Sequence, residues 1–210
     1  MNHTPAILLH GNETKTTTNR NASGKRRKRG QRGGIRVKCR KRGQKGFLPP
    51  VVTGNVRSLQ NKIDELAGCC KHLYQFRECS LMCLTESWLN DSIPDQLVNI
   101  NKFNIHRADR TNCSGKSKGG GLVLYINKDY CNNNNVTIRK IVCDPDLELM
   151  CVTLRPFYLP REFTQVCVII VYVPPTANTN TAADVILNTI HEIEFKNPNS
   201  ACILTGDFNN

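Results

Sequence analysis

The residues Thr205-Gly206-Asp207-Phe208-Asn209-Asn210 follow a short apolar run, Cys202-Ile203-Leu204. A buried strand that runs into Gly-Asp-x-Asn sets a carboxylate and an amide at its C-terminal end. That is the edge at which open α/β sheets place their active sites. Asp207 and Asn209 are two apart, so in an extended segment they share a face. The carboxylate there can take a proton or a hydrogen bond from water while the amide donates to a phosphate oxygen. The plainer alternative is an Asx-turn. Two earlier apolar runs end on matching chemistry. Val51-Val52-Thr53-Gly54-Asn55 ends on an amide that can orient a metal-bound water or a phosphate, or can start a turn or helix. Ser80 to Leu84 leads to Glu86, a hard-oxygen ligand or else a solvated loop acid. Mg2+ suits such a position, since it takes one or two carboxylates and completes its shell with waters and phosphate oxygens. Tyr172 closes the most hydrophobic run, Gln165 to Val173. Its hydroxyl can donate to a phosphate, or its ring can simply close the core.

Gly119-Gly120-Gly121 after Lys116 and Lys118 has the composition of a phosphate-cradling loop. It lacks the spacing Gly-x-x-x-x-Gly-Lys-Ser/Thr, which excludes a P-loop. The run fits a hairpin entry that needs unusual backbone angles.

These positions need strands to hold them. Apolar runs predict strands at 51–56, 80–84, 103–106, 121–126, 136–142, 147–154, 165–173 and 201–204. Val136, Ile138 and Ile141 are expected to face the core. The alternation of 147–154 predicts one wet face. Apolar residues three and four apart predict two helices. The first runs from Asn61 to about Tyr74 through Ile63, Leu66, Ala67, Cys70 and Leu73. The second runs from Thr181 to Phe195 through Ala182, Val185, Ile186, Ile190 and Ile193, with Asp184 in a first turn that the helix dipole favours. Strands outnumber helices and do not alternate regularly with them. The class is therefore an α+β sandwich rather than a doubly wound sheet.

Charge divides the chain in two. Residues 1–50 hold 14 of the 29 Lys and Arg and one acid, Glu13, leaving 15 basic against 16 acidic residues for the rest. Residues 1–46 have almost nothing to bury, which predicts a disordered basic arm, followed by a folded domain over 47–210. Lys25, Arg26, Arg27, Lys28 and Arg29 form its densest cluster, suited to the phosphate backbone of DNA or RNA and to nuclear import, or to nothing beyond solvation. The 11 cysteines show no Cys-x-x-Cys and no zinc-module spacing, which predicts free thiols and a reducing compartment. No apolar run reaches the roughly 18 residues that span a bilayer, and the start of the chain lacks a signal-peptide pattern.

Five strings, in order, resemble one family: Asn55-Val56-Arg57-Ser58-Leu59 with Lys62, Glu65 and Leu66; Leu84-Thr85-Glu86-Ser87-Trp88-Leu89; Arg107-Ala108-Asp109-Arg110 with Gly119–Gly121; Val171-Tyr172-Val173-Pro174-Pro175; and Leu204-Thr205-Gly206-Asp207-Phe208-Asn209. Their spacing over residues 50–210 resembles the endonuclease/exonuclease/phosphatase superfamily, and within it the apurinic-type endonuclease domain of non-LTR (LINE-like) retrotransposons. The resemblance implies a four-layered α/β sandwich of the deoxyribonuclease kind, nuclear action on DNA, and hydrolysis of a phosphodiester with Mg2+ or Mn2+ to leave a 3′-hydroxyl primer for reverse transcription. It implies that Glu86 is the main metal ligand with Asn55 beside it. It also implies that Tyr172 contacts phosphate, that Asp207 positions or deprotonates the attacking water, and that Asn209 stabilises the transition state. The family further uses a Ser-Asp-His near the domain end. The five histidines here, His3, His10, His72, His106 and His191, do not supply it. The expectation is a C-terminally incomplete domain, weak or inactive as an enzyme. Two other readings stay open: a nucleic-acid-binding remnant that works through its arm, and a phosphoesterase of the same superfamily. Oligomeric state is not legible.

Overall fold

The computed structural model describes residues 49–116 and 118–209. The Lys25–Arg29 cluster and the arm expected over 1–46 lie outside the described residues. Eight strands form two four-stranded sheets. The first contains β1 (Val51–Asn55), β2 (Leu81–Thr85), β3 (Phe103–Ala108) and β4 (Leu122–Asn127), in the order β1-β2-β4-β3. The second contains β5 (Val136–Cys143), β6 (Glu148–Leu154), β7 (Gln165–Tyr172) and β8 (Ser200–Asp207), in sequence order.

The sheets share a plan. Each has one parallel pair, β1 with β2 and β7 with β8, and is otherwise antiparallel. A parallel pair needs a crossover, which a helix usually supplies. Helices α1 (Ile63–His72) and α2 (Tyr74–Arg77) cross between β1 and β2, and α3 (Thr179–Lys196) crosses between β7 and β8.

Strand periodicity then builds the layers. Within β2 and β4, Leu81, Cys83, Leu122, Leu124 and Ile126 join Met150, Val152, Leu154, Val168 and Ile170 of the other sheet in the central core. The alternate residues Met82, Leu84, Val123 and Tyr125 pack with Leu59, Leu66 and Phe103 on the α1 side. On the opposite outer face, Leu149, Cys151, Cys167, Ile169 and Val171 meet Ala182, Ile186 and Ile193 of α3. Three cores separate four layers: helix, sheet, sheet, helix. Each fully buried Leu, Ile or Met contributes roughly 1.5–3 kcal/mol from the area it removes from water. Among the described residues, no helix is long and apolar enough to cross a membrane. The ten described cysteines are free, with the Sγ atoms of Cys151 and Cys167 3.5 Å apart.

The structure departs from the sequence reading at particular elements. The expected wet face of β6 does not exist, because all seven of its residues are buried. β6 lies between β5 and β7 with a sheet on one side and a helix on the other, so both faces are covered. The solvated strand is its neighbour β5, an edge strand whose Ile138 and Ile141 are 41% and 48% exposed rather than core. Helix α3 begins earlier than expected, at Thr179, because the Asn178 side chain caps it, accepting from the backbone N–H of Asn180 and Thr181 at 3.1 and 3.3 Å. Asp184 therefore falls beyond the first turn.

β8 runs three residues past the expected end, and Gly206 is what permits it. Its φ is +146°, and a Cβ there would lie 1.9 Å from the carbonyl oxygen of Val171 on β7. Backbone cannot withdraw as a flexible side chain can. Gly206→Ala is expected to destabilise the fold by roughly 3 kcal/mol, seen as a lower urea midpoint with an unchanged m-value. An unshifted midpoint would refute the close approach.

Candidate active site

The C-terminal ends of β1, β2, β7 and β8 lie at one edge of the sandwich, together with the starts of β4 and β6. Register fixes this: Asn55 pairs with Thr85, Thr85 with Leu122, Glu148 with Tyr172, and Tyr172 with Asp207. Asn55, Glu86, Tyr172, Asp207 and Asn209 all come to that edge, although 152 residues separate Asn55 from Asp207.

Two of the hydrogen bonds that join the sheets there connect these residues. The Asn55 side-chain amide donates to Asp207 Oδ2 at 2.7 Å. The Tyr172 hydroxyl, from the second sheet, donates to the Glu86 carboxylate of the first. Glu86 Oε2 also accepts from the Trp88 indole N–H and from the Gly120 backbone N–H at 3.2 Å.

The local backbone that aims Glu86 is unusual. Glu86 and Trp88 have φ of +56° and +55°, and Arg57 and Ser58 have +42° and +81°. Such angles cost non-glycine residues of order 1–3 kcal/mol each and persist only where surrounding bonds enforce them. Here Ser58 N–H donates to the Glu86 carbonyl at 3.0 Å, Leu59 N–H to that of Ser87 at 2.8 Å, and Trp88 N–H to that of Gly120 at 2.9 Å. The glycine run opposite has φ of +81°, +70° and +85°. A Cβ on Gly120 would lie 2.2 Å from the Arg110 guanidinium. The run is thus a backbone wall against which Arg110 lies flat.

Arg110 forms a buried pair with Glu148, their side chains 8% and 3% exposed. Its guanidinium also donates to the Lys118 carbonyl at 2.7 Å and sits 5.8 Å from the Tyr172 ring centroid. The other Glu148 oxygen accepts from Gly121 N–H at 2.6 Å. No role for Glu148 was visible in the sequence, though a carboxylate inside the apolar run 147–151 is a signal, since charged residues are almost never fully buried unless paired. Arg107, in the same string as Arg110, bonds Asp109, Asp95 and the carbonyls of Ile93 and Asn90. It ties the 90–95 loop to the end of β3.

Burial by itself raises the Glu86 pKa, but the hydrogen bonds from Tyr172, Trp88 and Gly120 and the Arg110 charge more than offset it. The net effect holds the carboxyl below its ordinary value. Tyr172 is pushed up by burial, by its bond to Glu86 and by the charges of Glu86 and Asp207. The pair is therefore a hydroxyl donor and a carboxylate. Asp207 and Asn209 meet differently from the extended geometry expected of them. Asn209 has a φ of +41°, so alternation does not align them. Its backbone N–H donates to Asp207 Oδ1 at 3.2 Å, which is an Asx-turn, and its side-chain amide donates to the Val173 carbonyl at 2.9 Å. An amide carries two donor hydrogens, so one such contact leaves a second for a ligand.

Among the described residues, no group of three or more His, Cys, Asp or Glu side chains is gathered as a metal cage. Mg2+ needs no such cage. An ionised Glu86 and the hard amide oxygen of Asn55 fit a cation that keeps most of its waters.

Two four-stranded sheets between helices make a mixed α/β fold that resembles the deoxyribonuclease and apurinic-endonuclease kind. Solved structures similar to the chain include ANGEL2, a 2′,3′-cyclic phosphatase, with a TM-score of 0.52 and 16% identity over 76% of this chain and 52% of that one. They also include the 3′ phosphatase NExo from Neisseria bound to a product DNA hairpin, with a TM-score of 0.52 and 12% identity over 77% of this chain and 58% of that one. The chain thus spans little more than half the length of these two structures. No protein-family model matches the chain, and no curated protein matches it.

Removing Glu148 leaves the Arg110 charge buried without its partner. Glu148→Ala is expected to cost roughly 3–5 kcal/mol, read by urea unfolding, and a loss below 1 kcal/mol on that scale would refute a buried pair. Glu86 behaves differently with pH. Its lowered folded pKa gives stability that is fully present above the ordinary carboxylate value of about 4.3 and is lost as pH falls through the folded value. Glu86→Gln should therefore flatten the acid limb of the stability profile. An acid limb identical to that of the unmodified chain would contradict the hydrogen-bond assignment.

Proposed function

We propose that this edge is the active site of a Mg2+-dependent phosphodiesterase acting on DNA in the nucleus, of the kind carried by LINE-like retrotransposons, which leaves a 3′-hydroxyl to prime reverse transcription. The observation that carries the reading is the pair of cross-sheet contacts, Glu86 with Tyr172 and Asn55 with Asp207. They gather an ionised carboxylate, a second acid, two amides and a phenol hydroxyl around one solvent-facing edge. A bound Mg2+ or Mn2+ would be held by Glu86 and Asn55 and would offset charge on the phosphate oxygens.

The chain's own groups divide the remaining work. Asp207, fixed from both sides by Asn55 and by Asn209 N–H, orients the attacking water and accepts its proton at a carboxylate oxygen. The second hydrogens of the Asn55 and Asn209 amides, with the Tyr172 hydroxyl, donate to phosphate oxygens as negative charge grows there. Arg110 lies behind Tyr172 and adds positive potential without leaving Glu148. The basic cluster Lys25–Arg29 is proposed to raise the local concentration of DNA or RNA through phosphate attraction.

The test is nicking of supercoiled plasmid by the purified chain. The expected result is Mg2+-dependent nicking that chelator abolishes, with Asp207→Asn lowering the rate about 10²–10⁴-fold and Glu86→Gln raising the Mg2+ requirement. Nicking that survives Glu86→Gln at the same Mg2+ concentration would refute the site. Salt-sensitive DNA binding without any hydrolysis would favour the nucleic-acid-binding remnant. Release of phosphate from a 3′-phosphorylated oligonucleotide without plasmid nicking would favour the phosphoesterase reading.

A further inference from the structure

Beside Glu86, a cavity of about 470 Å³ is walled by Trp88, Arg110, Lys116, Lys118 and Gly119. Its size lies within the roughly 300–1,000 Å³ of small-molecule sites. None of its described lining residues is a carboxylate. We infer that this cavity is a nucleotide subsite, in which the Trp88 indole stacks on a base next to the reacting phosphate while Lys116 and Lys118 hold the neighbouring backbone phosphates. The inference rests on the proposed function and narrows its substrate to one with a base beside the scissile bond.

Four observations carry it. Trp88 is 46% exposed although it is the largest apolar side chain of the molecule. Its exposure is fixed rather than loose: the backbone N–H is bonded to the Gly120 carbonyl and the indole N–H to Glu86. Indole has one donor and no acceptor, so with that donor spent on Glu86 the ring offers the cavity only its π-face. Every base has a matching face, and stacking on an aromatic tolerates sequence. The cations supply the second half of a nucleotide's chemistry, and Arg110, though paired with Glu148, adds a third positive group to the wall.

Gly119 sets the spacing to the reaction. A Cβ on it would stand 3.3 Å from both Glu86 Oε2 and Arg110 Nη1 and 3.6 Å from Trp88 Nε1. One side-chain-free backbone unit therefore separates the cavity from the carboxylate, so a phosphate at Glu86 and a base on Trp88 can belong to adjacent parts of one strand. A phosphoinositide or an inorganic phosphate would use the cations but leave the ring unused.

The chain has one tryptophan, so its emission reports this cavity alone. The experiment titrates the full chain with a short single-stranded oligonucleotide and, separately, with inorganic polyphosphate of equal charge. The expected result is saturable quenching by the oligonucleotide and none by polyphosphate. Lys116→Ala with Lys118→Ala should lower the salt slope of the quenching midpoint by about two. Trp88→Ala should weaken oligonucleotide binding, measured by anisotropy, about tenfold or more, while Trp88→Phe retains most of it. Oligonucleotide binding with unchanged emission, equal quenching by polyphosphate, or no binding at all would overturn the subsite. Mg2+-dependent nicking with unquenched emission would sink the subsite alone, and quenching without nicking would sink the hydrolytic reading alone.

Discussion

The Glu86 carboxylate is one of the points at which the two sheets meet, and the geometry of the candidate site depends on it. It leaves the end of β2 in one sheet and accepts a hydrogen bond from Tyr172 at the end of β7 in the other, together with the Trp88 indole and Gly120 N–H. A carboxylate with three donors is held ionised, and an ionised carboxylate fixes its donors more strongly than a neutral acceptor would. The contact requires the sheets to stand at one separation. That separation is set by the central core, where Leu81, Cys83, Leu122 and Leu124 interdigitate with Met150, Val152, Val168 and Ile170. Close packing makes such a spacing discrete rather than adjustable, so the apolar middle of the sandwich determines the geometry of its polar edge.

Charge at the edge is layered. The buried Arg110–Glu148 pair lies behind, and the more accessible Glu86 and Asp207 lie in front. A buried ion pair adds little net stability compared with apolar packing, because desolvation opposes the Coulombic gain. Its use here is positional. Arg110 is clamped between Glu148, the Lys118 carbonyl and the face of Tyr172, and it lowers the Glu86 pKa from a fixed point. The left-handed backbone at Glu86 and Trp88 belongs to the same device. It departs from strand alternation so that the carboxylate and the indole can converge on one position, and the hydrogen bonds to the 57–59 segment and to Gly120 maintain it.

Much of this was legible in the chain. Strand positions followed from apolar runs, and the edge residues Asn55, Glu86, Tyr172 and Asp207 stood out because each closes such a run. Both long helices followed from spacings of three and four, but the first stops at His72, because Leu73 turns extended and a separate short helix begins at Tyr74. What failed, failed for reasons of environment. β6 alternates in sequence yet is buried on both faces, because its neighbours in the sheet and the layers above and below are set by distant segments. β5 carries isoleucines into solvent because it is an edge strand. Asp207 and Asn209 share no strand face, because the chain turns left-handed at Asn209 and closes an Asx-turn that sequence spacing cannot distinguish from an extended pair.

The sequence by itself determined the class of fold, the chemistry available at each strand end and the concentration of positive charge in the first 50 residues, since these depend on residue type and local period. Only the tertiary structure decided which strand ends meet. Asn55 reaches Asp207 across 152 residues, and Glu148 meets Arg110 across 38, through sheet register and the stacking of one sheet on the other. Those contacts are long-range, set by burial of surfaces assembled from many segments, and no local pattern encodes them.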